Sequence, residues 1–153
     1  MAKNAVEALK KANKTLVTAE SCTGGLLGKM LTDVAGASQV YLGGVISYAY
    51  ELKEKLLGVE HDLLSEKGAV CEEATKQMAL GAREKLQADL ALSVTGNAGP
   101  GTDAKNPNVG EIFVALASEN TCICRKLNLQ GNREENRIAA CHAALQLLLD
   151  TIA

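Results

Sequence analysis

The sequence predicts an α/β layered domain built on a mixed sheet. Three observations carry this. Short aliphatic runs alternate along the chain with segments of helical period. A polar cluster with glycines sits where one strand-like run hands over to a helix, and a glycine loop follows another such run, as at the strand ends of open α/β sheets. Two strand-like runs near the C-terminus are joined by three residues, which makes that part of the sheet antiparallel.

The elements follow in order. Ala5, Leu9 and Ala12 share one face of a short N-terminal helix. Residues 15–20 read as a buried strand, and residues 23–31 as a helix whose first turn is Gly24-Gly25. Residues 42–50 read as a second strand, followed by a charged turn over residues 51–55. Between residues 72 and 86, Ala74, Met78, Ala82 and Leu86 recur every fourth position, which predicts a helix. Residues 89–95 form a third strand. It runs into a long loop, residues 96–110, that holds both prolines, Pro100 and Pro107. Residues 111–117 and 121–129 read as two further strands. A last helix starts near Asn132, with Ile138, Cys141, Leu145, Leu148 and Ile152 as its apolar stripe. No linker or internal repeat divides the chain, so residues 1–153 are expected to form one domain.

Composition excludes several classes of function. Aromatic residues are only 3%, with no tryptophan, so few rings can stack on bases. Sixteen basic and 18 acidic side chains give a net charge of -2, against the basic excess of a nucleic-acid interface. Five cysteines, an odd number without framework spacing, point to free thiols in a reducing compartment. Residues 1–14 lack the apolar run of a signal peptide, and no stretch reaches the roughly 20 apolar residues of a membrane span. A cytoplasmic protein without membrane contact is expected. Cys122, Cys124, Cys141 and His142 do not have the spacing of a structural zinc site, so no metal is expected and the thiols read as small buried hydrophobes.

Four segments carry chemistry. In Ala19-Glu20-Ser21-Cys22-Thr23-Gly24-Gly25 the hydroxyls of Ser21 and Thr23 meet glycines that admit a ligand to the backbone. Free amides at the helix start would favour a phosphate or an oxyanion. The alternative is that Ser21 or Thr23 simply caps the helix. A nucleophilic serine needs a base. His61, in a polar turn, reads as a solvated surface residue, and His142, beside the stripe of the last helix, as a structural one. The alternative base is a lysine of lowered pKa, which a tyrosine phenol could assist. Gly43-Gly44-Val45-Ile46-Ser47-Tyr48-Ala49-Tyr50-Glu51-Leu52-Lys53 offers Tyr48 and Lys53, with a solvated lysine at a strand end as the alternative. The Ser-x-x-Lys spacing of some acyl enzymes is absent, since Gly24 occupies the lysine position. Thr95-Gly96-Asn97-Ala98-Gly99-Pro100-Gly101 can wrap a phosphate or a ribose, or mark only a turn. In Gly131-Asn132-Arg133-Glu134-Glu135, Asn132 and Glu135 form a capping box. Arg133 opposes the helix dipole there, which hints at an anion; a surface pairing with a glutamate is the alternative.

Together these segments resemble the C-terminal domain of the competence-damage-inducible CinA proteins, many of which are nicotinamide-nucleotide amidases. The resemblance rests on residues 18–25, on Leu42-Gly43-Gly44-Val45-Ile46-Ser47-Tyr48 with Lys53, on Gly68-Ala69-Val70, and on Val94-Thr95-Gly96 with Ala98-Gly99-Pro100-Gly101. It implies a three-layer α/β/α domain with a mixed central sheet that often self-associates. It implies cofactor- and metal-free hydrolysis of nicotinamide mononucleotide to nicotinate mononucleotide and ammonia. By the same resemblance Ser21 is the nucleophile, Tyr48 and Lys53 are its partners, and Thr95, Gly96 and Arg133 contact substrate. Thr23, Gly24 and Ser47 join them as expected substrate contacts. Lys53, neutral through burial or a nearby positive charge, would take the proton of Ser21, with Tyr48 relaying or sharing it. This chain would be a stand-alone form of the domain.

The chain departs from the family at three places. The family usually has asparagine where Tyr50 stands, a small aliphatic residue where Asn97 stands, and Lys-Pro-Val where Pro107-Asn108-Val109 stands. Tyr50 lies between two expected catalytic residues. A nucleotide-binding or protein-interaction module that lacks the chemistry is therefore the alternative function.

Overall fold

The structure of the protein, a computed structural model, describes residues 1–152. Helix α1 (Ala2–Ala12) leads into strand β1 (Leu16–Glu20), helix α2 (Leu26–Thr32), a 3-10 turn (Ala37–Gln39) and strand β2 (Tyr41–Ile46). Helices α3 (Tyr50–Leu57), α4 (His61–Lys67) and α5 (Glu72–Leu86) follow. Strands β3 (Leu90–Gly96), β4 (Glu111–Ala117) and β5 (Cys122–Asn128) and helix α6 (Arg133–Ile152) complete the order.

The sheet has the order β2-β1-β3-β4-β5. β1 is parallel to both β2 and β3, while β3–β4 and β4–β5 are antiparallel, so the sheet is mixed as expected. Alternating strand residues feed two cores. On one face Leu16, Leu92, Val94, Ile112 and Val114 meet α1, α2 and α6 through Leu9, Leu27, Cys141, Leu145 and Leu148. On the other, Val17, Ala19, Ala91 and Ala115 meet α3, α4 and α5 through Leu57, Leu64, Ala74, Met78 and Ala82. The alanines of this second face let α5 lie close to the sheet. At Gly81 a Cβ would overlap the Leu57 carbonyl oxygen, so α3 and α5 also need a glycine where they touch.

The structure corrects several sequence expectations. The strand read to residue 50 ends at Ile46, and the charged turn after it is helix α3. Its buried Lys53 and Leu57 are spaced four apart, a helical face hidden among charges. The polar turn expected at His61 is the start of helix α4, which the pattern conceals because its single buried residue is Leu64. Helix α2 starts at Leu26, not Thr23, because Gly24 (φ 56°) and Gly25 (φ 106°) adopt left-handed conformations outside it. Ala12 and Leu86 are exposed at helix ends, and Val6 takes the buried place beside Ala5 and Leu9. His142 is exposed on α6, so it has no structural role in the core; His61 is exposed, as expected.

Among the described residues no helix is long and apolar enough to cross a membrane. All five cysteines are free: Cys22 and Cys141 are buried, whereas Cys71, Cys122 and Cys124 are only half-buried.

Candidate active site

The chain leaves β1 for β2 on one side and later places β3 on the other. The carboxyl ends of the three parallel strands therefore open at a topological switch point, where α/β sheets bind ligands. Ser21 follows the end of β1, Tyr48 lies just beyond β2, and Thr95 and Gly96 end β3. These four line one cleft with Lys53 of α3 and Arg133 of α6. Its volume is about 310 Å³, at the small end of ligand pockets.

Lys53 is fully buried (0% exposed), so it is not a solvated lysine at a strand end. Its Nζ lies 2.9 Å from Ser21 Oγ, 2.5 Å from the Ser47 carbonyl oxygen and 3.1 Å from that of Tyr48. A neutral amine has two N–H bonds and one lone pair. Two carbonyls can take the N–H bonds, which leaves the lone pair for the hydroxyl proton of Ser21. Burial lowers the Lys53 pKa from its usual 10.5 to about 8, opposed by Cys22 and by the Asp103 carboxylate. The Cys22 thiol, next to Ser21, is pushed up to about 12 by burial, which keeps it protonated and poorly nucleophilic.

Tyr48 is 63% exposed, and its hydroxyl accepts from Arg133 Nη2 at 3.4 Å, with no hydrogen bond to Ser21 or Lys53 among the described residues. The tyrosine reaches the lysine through its main-chain carbonyl instead. Ser47 is buried and does not line the cleft; its carbonyl orients Lys53. Thr23 and Gly24 also lie outside the cleft lining.

The reason for the placement of Thr23 is Glu20, a residue of the motif that sequence reading left without a role. Its buried carboxylate accepts from the Thr23 hydroxyl (2.6 Å) and from the amides of Gly25 (3.2 Å), Leu27 (2.9 Å) and Gly28 (3.0 Å). The helix start is therefore already satisfied by a side-chain anion, and its amides are not free for a phosphate. Within the turn, the Ser21 amide donates to Val94 and that of Gly24 to the Ser21 carbonyl. The amides of Cys22 and Thr23, between them, make no hydrogen bond to another residue among the described residues. Arg137 fixes the same turn: Nε donates to the Cys22 carbonyl and Nη2 to that of Thr23, both at 2.9 Å. Arg137 follows Arg133 by four residues, one helical turn, and that spacing was the signal that could have found it.

Helix α6 also holds the glycine loop. Arg133 Nη1 donates to the Gly99 carbonyl at 2.8 Å, and Asn136 Nδ2 to that of Ala98 at 3.0 Å. Asn132 and Glu135 form the expected capping box, each side chain accepting from the other's amide at 2.8 and 2.9 Å. Arg133 forms no ion pair among the described residues, so pairing with a neighbouring glutamate is not its role.

Two of the three expected departures, Asn97 and Tyr50, have a structural account. Asn97 is buried and organises the loop: its Nδ2 donates to the carbonyls of Asn106 (3.1 Å) and Asn108 (3.0 Å), and its Oδ1 accepts from the Asp103 amide (2.8 Å). Tyr50 donates its hydroxyl to Asp103 Oδ1 at 2.5 Å. It does not displace Lys53, and both departures converge on Asp103, which sequence reading did not single out. Among the described residues no three histidine, cysteine or carboxylate side chains are grouped as metal ligands.

Comparison with known proteins agrees with this architecture. The family described as CinA C-terminal domain matches residues 1–152. A CinA-like protein of Geotalea daltonii is 50% identical over 140 residues, which is 91% of this chain and 34% of that protein. The chain thus spans about a third of the length of such curated relatives. Among solved structures, a competence-damaged protein (CinA) superfamily protein from Klebsiella pneumoniae superposes with a TM-score of 0.95 at 27% identity, covering 99% of this chain and 94% of that one. The competence/damage inducible protein CihA from Agrobacterium tumefaciens gives 0.92 at 35% identity, covering 97% and 92%. The three-layer arrangement is that of the superfamily.

Proposed function

The chain belongs to the CinA C-terminal domain family, and on that premise we propose that it hydrolyses the carboxamide of nicotinamide mononucleotide through a serine acyl-enzyme. The observation that carries this reading is the buried Lys53 amine 2.9 Å from Ser21 Oγ, with two carbonyls taking its remaining hydrogens.

Neutral Lys53 accepts the Ser21 proton as Oγ attacks the carboxamide carbon. The C–O bond forms, and the amide oxygen takes the negative charge. The unengaged amide of Cys22, which lines the cleft in the turn gripped by Arg137, is the donor for that oxyanion. One such donor is typically worth about 10²–10³ in rate. The C–N bond then breaks, and the Lys53 ammonium returns its proton to the departing nitrogen, so ammonia leaves. Water attacks the ester with Lys53 again as base, and the acid product and free Ser21 are restored. Arg133 holds the nucleotide phosphate, with Thr95 and Gly96 along the cleft wall. Tyr48 orients Arg133 and, through its carbonyl, Lys53. The reading needs no metal or cofactor, and it includes a cytoplasmic protein that self-associates.

The test is ammonia release from nicotinamide mononucleotide by purified protein, alongside the Ser21→Ala variant. We expect turnover in the parent and none in Ser21→Ala, with the fold unchanged by circular dichroism. Equal ammonia release from both proteins would exclude Ser21 as nucleophile, and none from the parent would reject the activity.

A further inference from the structure

Arg133 gives the cleft a cation for an anionic ligand group, but the cleft also holds a carboxylate that this role does not use. Asp103 lines it and, like Arg133, forms no ion pair among the described residues. Nor is this carboxylate loose. Its Oδ1 accepts from the Tyr50 hydroxyl at 2.5 Å, its Oδ2 accepts from the Lys105 amide at 3.3 Å, and its own amide is held by Asn97 at 2.8 Å. Burial and the Asp103 charge push the Tyr50 phenol up to about 12, so it remains a donor at neutral pH. Tyr50 and Tyr48 line the same cleft and bring aromatic rings to it. An oriented, half-buried carboxylate beside aromatic rings is complementary to a permanent cation that offers no hydrogen bond of its own.

We propose that Asp103, set in place by Tyr50 and Asn97, is the subsite for the cationic ring of a zwitterionic nucleotide whose phosphate lies on Arg133. The inference rests on the amidase reading above and deepens it: the enzyme selects a pyridinium over a neutral ring. It also links recognition to chemistry. Asp103 on its own favours the charged form of Lys53. A cation bound on Asp103 cancels that influence and disfavours a second positive charge nearby, so the bound ring promotes the neutral amine that Ser21 needs.

The test is calorimetric binding of nicotinamide mononucleotide and of its 1,4-dihydro form, which keeps the phosphate and carboxamide but has a neutral ring. Ser21→Ala protein is used, so that nothing turns over. We expect the cationic form to bind at least about 10-fold tighter. Asp103→Asn keeps an acceptor for the Tyr50 hydroxyl and should bring the two affinities together by weakening the cationic form alone. Tyr50→Phe keeps the charge but frees it, and should shrink the ratio in part. A ratio unchanged in both variants overturns the subsite while leaving the nucleotide reading intact. Failure of both forms to bind Ser21→Ala overturns both readings.

Discussion

Lys53 Nζ and Ser21 Oγ, 32 residues apart in sequence, meet at 2.9 Å where α3 packs over the end of β1. Helix α3 turns Lys53 inward on the same face as Leu57, and the carbonyls of Ser47 and Tyr48 fix the direction of the amine. Any activity that uses this pair depends on the proton of Lys53.

The pH profile follows from the sign of that dependence. Lys53 must be neutral to accept a proton, and its pKa lies at about 8. The rate of kcat/KM should therefore rise with pH through about 8 and level off above it. Lys53→Met removes the base and should lower the rate by about 10²–10⁴. An unchanged profile in Lys53→Met would take the lysine out of the mechanism.

Stability should carry the same signature. Below about 8 both the folded and unfolded chains hold the Lys53 proton. Between about 8 and 10.5 the folded chain has released it while the unfolded chain still binds it. Stability from this group then rises with pH across that window, because the unfolded state binds more protons. Denaturation of the parent against Lys53→Met between those two values measures it. The Lys53→Met protein should lack the rise.

Glu20 should matter more to the fold than its place beside Ser21 suggests. Glu20→Ala leaves the Thr23 hydroxyl and the amides of Gly25, Leu27 and Gly28 without an acceptor. We expect a loss of about 2 kcal/mol or more, a fall in Tm of roughly 4–8 °C. Glu20→Gln keeps one acceptor oxygen and should fall less. A Glu20→Ala melting curve that matches the parent would mean that the cap contributes nothing.

Arg133→Ala should raise KM for the nucleotide far more than for the dephosphorylated nucleoside. A phosphate contact present in both ground and transition states is uniform binding, so kcat should change little. Arg133 also holds the Gly99 carbonyl, and loss of that contact would affect both substrates alike. Parallel kinetics on the two substrates separate these roles.

Tyr50→Asn places in α3 the residue that the family resemblance leads one to expect there. The shorter side chain cannot replace the hydroxyl on Asp103, while the Lys53–Ser21 contact does not involve Tyr50. KM should therefore rise several-fold, and the pH midpoint near 8 should stay close to that of the parent. Higher activity in Tyr50→Asn would show instead that the tyrosine obstructs the cleft.

The local pattern of the sequence determined the element types, helices α3 and α4 excepted, and the mixed character of the sheet. Burial on two faces left long aliphatic runs in β1, β3 and β4, and α5 shows in the spacing of Ala74, Met78 and Ala82. The motifs around Ser21, Thr95 and Arg133 were legible because glycines and polar residues interrupt those runs. Tertiary structure decided the rest. Helix α3 shows no apolar stripe because one position of its inward face is Lys53 while Leu52 and Leu56 are exposed, and only tertiary packing buries that amine and lowers its pKa. Glu20 turns inward because the glycine turn points three amides and a hydroxyl at it, a geometry no residue spacing reveals. Asp103 meets Tyr50 across 53 residues and Arg137 meets Thr23 across 114. Such pairs exist only once the sheet has brought its strand ends together, because hydrogen bonding and charge act through space and not along the chain.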